Sequence, residues 1–183
     1  MMEKEGVIYL NTANKLTMIR VVIIPIFLAV LYIGFENSNY VAMAIFILAN
    51  LTDIADGQIA RRRGQVTDFG KFTDPLADKV LVVSAMLWFV AEGIMPVWVA
   101  LLVIIREFMV TALRLFAAGT GRVIAAALSG KIKTVVTVIC LSAMFLQLQP
   151  WMVYSCIFAI TMTTLVSGIE YFVRNRDIMK LDM

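Results

Sequence analysis

Apolar positions along the chain gather into six runs separated by short polar breaks. The runs cover Leu16–Phe35, Tyr40–Ala60, Phe72–Ala91, Pro96–Ala118, Ile132–Leu148 and Trp151–Val173. A helix needs about 20 mostly apolar residues to cross a bilayer core, so each run predicts one spanning helix. Pro25 predicts a kink in the first. The second is apolar in its first half and polar in its second. Gly119–Gly130 is the longest stretch between two runs, and Val123–Leu128 within it is apolar enough to lie on a membrane surface. No repeat, low-complexity segment or domain boundary interrupts this order. The predicted fold is all-α: residues 1–183 form a single integral membrane domain, a six-transmembrane-helix bundle behind a short N-terminal interfacial segment.

Composition agrees with that pattern. The chain has 183 residues, 61% of them hydrophobic and 16% charged, with a mean hydropathy of +0.89. A soluble domain is about half apolar and one quarter charged. Six spans leave no length for a sizeable soluble domain. There is no histidine, which removes an imidazole base, His-ligated zinc and a haem axial His. Cys140 and Cys156 sit inside apolar runs, where a thiol packs as a small hydrophobe, and no CxxC spacing is present. The first fifteen residues show no cleavable signal pattern, only the apolar patch Val7–Leu10.

The net charge of +3 matters less than its distribution. Lys4, Lys15, Arg61, Arg62, Arg63, Lys71, Arg122, Lys131, Lys133, Arg174, Arg176 and Lys180 all fall on the side of the two termini. The opposite loops hold Glu36 and Glu92 and no Lys or Arg. This one-sided pattern places both termini in the cytoplasm. Trp88, Trp98 and Trp151 lie near the outer ends, as an aromatic belt requires. No nucleic-acid partner is predicted.

Ionisable residues inside spans are costly and point to function. They concentrate in NLTDIADGQIARRRGQVTDFGKFTDPLADKV, the second and third runs with the turn between them. On a helix Asp53, Asp56, Gly57 and Ala60 share a face, at offsets of three, four and seven. Gly70, Lys71, Asp74 and Asp78 share another. Two helices of an antiparallel hairpin can therefore aim four carboxylates at one point near the cytoplasmic boundary. Four carboxylates cannot all stay ionised in a dry site without a counter-charge. Either some are protonated, as in a proton relay, or they hold a hard divalent cation. Gly57 and Gly70 favour the cation, because they leave open backbone where a bulky ligand can approach. Arg61, one turn after Gly57, can hold a phosphate bidentately. Together these residues suit phosphoryl transfer. Pro75 is expected in the first turn of its helix. Arg62 and Arg63 read as topology signals.

The spacing Asp53-x2-Asp56-Gly57-x2-Ala60-Arg61-x8-Gly70-x3-Asp74-x3-Asp78 resembles, at all eight positions, the signature of the CDP-alcohol phosphotransferases. The resemblance implies transfer of a phospho-alcohol group from a CDP carrier to an acceptor hydroxyl, with release of CMP. It implies two divalent cations, Mg2+ or Mn2+, and a homodimer. Asp53, Asp56, Asp74 and Asp78 would be the metal ligands, and Asp78 also the catalytic base for the acceptor hydroxyl. Asp53, Gly57, Ala60, Arg61 and Gly70 would line the CDP site. The stretch NTANKLTMIR looks like the family's entry segment, with Asn14, Thr17 and Arg20 facing the active site. It departs in having Ala13 where many relatives have proline.

A second cluster bears on the acceptor. Arg106 and Arg114 are eight residues apart, about 12 Å along a helix and within a quarter-turn of each other. Glu107 lies one face over and is expected to pair with Arg114. Lys131 and Lys133 open the fifth run. Two arginines and two lysines suggest a pocket for a small phosphate ester. Arg-Glu in the fourth run with Gly-Lys-x-Lys-Thr before the fifth resembles the phosphatidylglycerophosphate synthase branch, whose acceptor is glycerol 3-phosphate. That implies a phosphatidyltransferase using CDP-diacylglycerol from membrane lipid in a bacterial inner membrane, with the active site facing the cytoplasm. One alternative is a sister enzyme whose acceptor is inositol phosphate, serine or phosphatidylglycerol. The other is a cation-coupled transporter using the acids as a relay. Such a site belongs near the bilayer midplane in an inverted repeat, and neither feature is visible here.

Overall fold

The computed structural model describes the backbone of residues 12–63, 68–119, 124 and 127–179, and side chains over 22–52, 79–119, 124 and 127–177. Among the described residues the regular structure is helical throughout. The elements are α1 (Thr12–Ile33), α2 (Ser38–Arg63), α3 (Asp68–Ala91), α4 (Val97–Gly119), α5 (Leu128–Met144), α6 (Pro150–Arg174) and the short α7 (Arg176–Met179). Each of the six apolar runs is matched by one long helix.

The ends differ from the hydropathy limits for a simple reason. Backbone hydrogen bonding continues through polar residues that hydropathy leaves out. α3 therefore starts at Asp68 rather than Phe72, and α5 at Leu128 rather than Ile132. Pro75 consequently lies past the first turn of α3, a correction to its expected place. Ser129, Gly130 and Lys131 belong to the opening turn of α5. α1 continues through Pro25 as one helix. It ends at Gly34, whose φ of +65° supplies the left-handed conformation that closes a helix. Gly93, at φ +69°, does the same after α3. Pro150 opens α6, where its missing N–H costs nothing.

The chain divides into two compact units, Met1–Val82 and Val83–Met183. In the first, α1 packs on α2. Phe27 and Phe46 meet there with ring centroids 6.1 Å apart, flanked by buried Leu31, Ala42 and Ala49. Small alanines let the two helices approach closely.

In the second unit α6 packs against both α5 and α4. Its buried stripe is Ile157, Ile160, Thr161, Thr164, Ser167 and Tyr171, a helical series of steps of three and four. Its outward face carries Phe158, Met162, Val166, Ile169 and Val173, all exposed. Hydroxyls thus lie inside and large apolar groups outside. This reverses the pattern of a helix in water and is the one expected against lipid. α5 repeats it, with Lys133 and Thr137 buried while Val135 and Ile139 are exposed. α6 is the helix, among the described residues, that is long and apolar enough to cross a membrane. α4 has similar length, but Arg106, Glu107 and Arg114 interrupt its apolar sequence. Phe89 at the end of α3 stacks on Phe145, just past α5, at 4.7 Å.

Candidate functional site

The eight-position signature falls on two helices. The C-terminal half of α2 carries Asp53, Asp56, Gly57, Ala60 and Arg61, and the N-terminal half of α3 carries Gly70, Asp74 and Asp78. Both stretches are helical, so offsets of three, four and seven put the acids of each helix on one face, as the spacing requires. The side chains of Asp53, Asp56, Asp74 and Asp78, and those of Ala60 and Arg61, lie outside the described residues, as do Gly57 and Gly70 beyond their backbone. The side chains of Asn14, Thr17 and Arg20 on α1 lie outside them too. Among the described residues there is no cluster of three or more His, Cys, Asp or Glu that could hold a metal. For the residues expected to bind metal and CDP, the described backbone gives helix register and nothing finer. Asp53, Asp56, Asp74 and Asp78 form the expected metal set. As a donor set they are all carboxylate oxygen, the chemistry that hard divalent cations prefer.

The second cluster is described atom by atom, within the second unit. Arg106 Nη1 donates to Glu107 Oε1 at 2.7 Å, and Lys133 Nζ of α5 donates to the same oxygen at 2.8 Å. Burial makes these contacts consequential. The Lys133 side chain is 4% exposed, Arg106 11% and Glu107 19%. An ammonium this far from water is strongly unfavourable without an acceptor.

Arg106 reaches its place through a slot made by two glycines. A Cβ on Gly130 of α5 would lie 3.2 Å from Arg106 Nη2, and one on Gly168 of α6 would lie 3.5 Å from Arg106 Cγ. Arg106 Nε is buried with no hydrogen-bond partner, and so is Ser129 Oγ in the first turn of α5. The residue before α5, Ala127, stands at the N-cap and makes no side-chain hydrogen bond to the first turn. A helix N-terminus carries partial positive charge and unbonded N–H groups. Setting an arginine against that end is unfavourable without a nearby anion, and the Glu107 carboxylate supplies one.

Arg114 takes a different partner from the one expected. Its Nε donates to Tyr171 Oη at 3.1 Å, with the guanidinium carbon 5.5 Å from the centre of the same ring. Glu107 instead serves Arg106 and Lys133. The cause is rotation: Glu107 faces α5, whereas Arg114 faces the C-terminal end of α6. Of the four cations expected around an acceptor phosphate, Arg106 and Lys133 meet through Glu107, while Arg114 and Lys131 are exposed.

Three features escaped the sequence reading: Glu107 as a shared acceptor, Tyr171, and the Gly130–Gly168 slot. Tyr171 did leave a signal. It continues the Thr164–Ser167 stripe of α6 by one turn, and a phenol on a hydroxyl-lined inner stripe calls for a polar partner.

Comparison with known proteins gives a consistent result. A family model described as CDP-alcohol phosphatidyltransferase matches residues 10–167. The CDP-diacylglycerol–glycerol-3-phosphate 3-phosphatidyltransferase of Bacillus subtilis (strain 168) is 42% identical, with 93% of this chain and 97% of that protein covered. The protein of the same name from Escherichia coli (strain K12) is 38% identical, covering 88% and 92%. That from Wigglesworthia glossinidia brevipalpis is 39% identical, covering 68% and 71%.

Proposed function

The chain belongs to the CDP-alcohol phosphatidyltransferase family, and on that premise we propose that it moves the phosphatidyl group of CDP-diacylglycerol to glycerol 3-phosphate. The products are phosphatidylglycerol phosphate and CMP. The observation that carries this reading is the intact eight-position signature on α2 and α3. Relatives named for this reaction, and aligned over nearly their whole length, support it. Membership of a transferase family sets aside the transporter reading.

Asp78 takes the proton from the primary hydroxyl of glycerol 3-phosphate. That oxygen attacks the β-phosphorus of CDP-diacylglycerol in line, the bond to the CMP oxygen breaks, and CMP departs. Asp53, Gly57, Ala60, Arg61, Gly70, Asn14 and Thr17 bind and orient the CDP moiety. Asp53, Asp56, Asp74 and Asp78 would hold two divalent cations, Mg2+ or Mn2+, which when bound offset charge on the diphosphate and the leaving group. Arg106, Arg114, Lys131 and Lys133 receive the acceptor phosphate. The electropositive start of α5 and the unpartnered Arg106 Nε support an anion there.

The setting we propose is a bacterial inner membrane. A single domain of six spans keeps both termini and the active site cytoplasmic, and pairs as a homodimer. The apolar outer faces of α4, α5 and α6 support a lipid environment, as do the exposed Trp98 and Trp151 at helix starts. CDP-diacylglycerol then enters sideways, tails in lipid and CDP in the polar site.

The test is an acceptor panel. Purified protein in detergent receives CDP-diacylglycerol, Mg2+ and, in parallel, labelled glycerol 3-phosphate, inositol phosphate, serine or phosphatidylglycerol. CMP release matched by label transfer from glycerol 3-phosphate is expected. Preferred transfer to another acceptor would move the chain to a sister activity, and no CMP release with any acceptor would refute the transferase reading.

A further inference from the structure

We infer that Glu107 is a positioning residue of the acceptor site, a single carboxylate oxygen that fixes Arg106 and Lys133 in one arrangement before substrate arrives. The inference rests on the reading that these two cations receive the acceptor phosphate. Its geometric basis is the shared atom. Both donors, one from α4 and one from α5, converge on Oε1 at 2.7 and 2.8 Å. Neither donor comes to Glu107 by helix periodicity: Arg106 is its chain neighbour, and Lys133 is 26 residues away.

Two independent features show that Arg106 is held rather than merely neutralised. Its stem passes Gly168 at ordinary contact distance and its head lies against Gly130, where an added Cβ at 3.2 Å from Nη2 would press on it. Its Nε, buried and unpartnered, stays available while Nη1 is tied to Glu107. The carboxylate thus leaves part of the guanidinium for an anion and fixes the direction in which it points. Preorganised donors of this kind bind a phosphate without reorganising at the moment of binding.

An acid beside an anion site is otherwise paradoxical, since its charge repels the ligand. The paradox separates two roles. If Glu107 only offsets buried positive charge, Glu107→Gln makes the pocket more positive and lowers KM for glycerol 3-phosphate. Glu107→Asp, which keeps the charge, then behaves as the parent protein. If Glu107 positions the cations, both variants raise that KM. Aspartate is shorter by one methylene, about 1.5 Å, and cannot hold both donors at hydrogen-bond distance from the same backbone position.

The experiment measures KM and kcat for each substrate in detergent with Glu107→Asp, Glu107→Gln and Arg106→Lys, beside unfolding temperatures. For both Glu107 variants we expect a rise of about tenfold or more in KM for glycerol 3-phosphate, the scale of one charge-assisted hydrogen bond. KM for CDP-diacylglycerol should stay within about twofold, an order-of-magnitude margin for an untouched site. An unchanged or lowered acceptor KM in Glu107→Asp overturns the inference. So does loss of folding in both Glu107 variants, which would make the carboxylate a structural counter-ion. Arg106→Lys separates the two levels. If it too leaves the acceptor KM unchanged, the acceptor-site reading itself fails. If it raises KM while Glu107→Asp does not, only the positioning role fails.

Discussion

Replacing Gly130 by alanine should raise stability slightly and damage acceptor use, and this opposition makes it informative. Gly130 is the third residue of α5, where alanine is the better helix former by up to about 1 kcal/mol. The new methyl, however, would sit 3.2 Å from Arg106 Nη2. Ordinary contact is nearer about 3.5–3.7 Å, so the guanidinium must give way by roughly 0.3–0.5 Å. It cannot swing aside without cost, because Nη1 is bonded to Glu107 at 2.7 Å and the stem rests against Gly168. A 1 Å misplacement of a binding group can cost about a hundredfold in rate, so a third to a half of that distance scales to roughly three- to tenfold. The assay is CMP release at varied glycerol 3-phosphate, with thermal unfolding in the same detergent. We expect a three- to tenfold lower kcat/KM for the acceptor and an unfolding temperature equal to or above that of the parent, on the scale of the estimates just made. Gly168→Ala is the control. Its methyl would meet Arg106 Cγ at 3.5 Å, an ordinary contact, so kinetics should barely move. Unchanged acceptor kinetics in Gly130→Ala, with the protein folded, would refute the idea that Arg106 is held in a tight slot beside the acceptor.

Other variants test other links. Asp78→Asn should lower turnover by at least about a hundredfold, the low end of general-base catalysis, while circular dichroism still reports a folded helical protein; near-normal CMP release would remove Asp78 from the mechanism. Tyr171→Phe keeps the buried ring but deletes the acceptor of the Arg114 Nε bond. KM for glycerol 3-phosphate should rise roughly two- to tenfold with KM for CDP-diacylglycerol unmoved, and equal rises in both would mark a general packing defect instead. Thr164 is 1% exposed and its Oγ1 has no hydrogen-bond partner. Thr164→Val, with the same shape and no hydroxyl to desolvate, should therefore raise stability by about 1 kcal/mol in thermal unfolding, whereas a lower melting temperature would mean that the hydroxyl is satisfied in the membrane.

Much of this protein could be read from local periodicity. Apolar runs located all six long helices, and the offsets between Asp53, Asp56, Asp74 and Asp78 put the acids of each helix on a common face. The boundaries were less legible. Asp68–Lys71 and Leu128–Lys131 are too polar or too mixed to register as apolar runs, yet their backbone joins α3 and α5. That mismatch carried Pro75 out of the first turn, and it brought Ser129, Gly130 and Lys131 into one.

Partner choice was not legible. Glu107 lies seven residues before Arg114, a distance that invites a pair along one helix, yet it turns to Arg106 and Lys133. Arg114 finds Tyr171, 57 residues away. A helix repeats every 3.6 residues, so a single strand of sequence states which of its own residues share a face. It does not state how far that helix is rotated about its axis, or which neighbour a long side chain then reaches. Those choices arise when α6 packs between α4 and α5, where glycines and hydroxyls line the inner stripe and buried charge must find an acceptor. The candidate chemistry of this chain therefore lies in the spacing of its acids, and the pairing of Arg106, Lys133 and Arg114 in the packing of three helices.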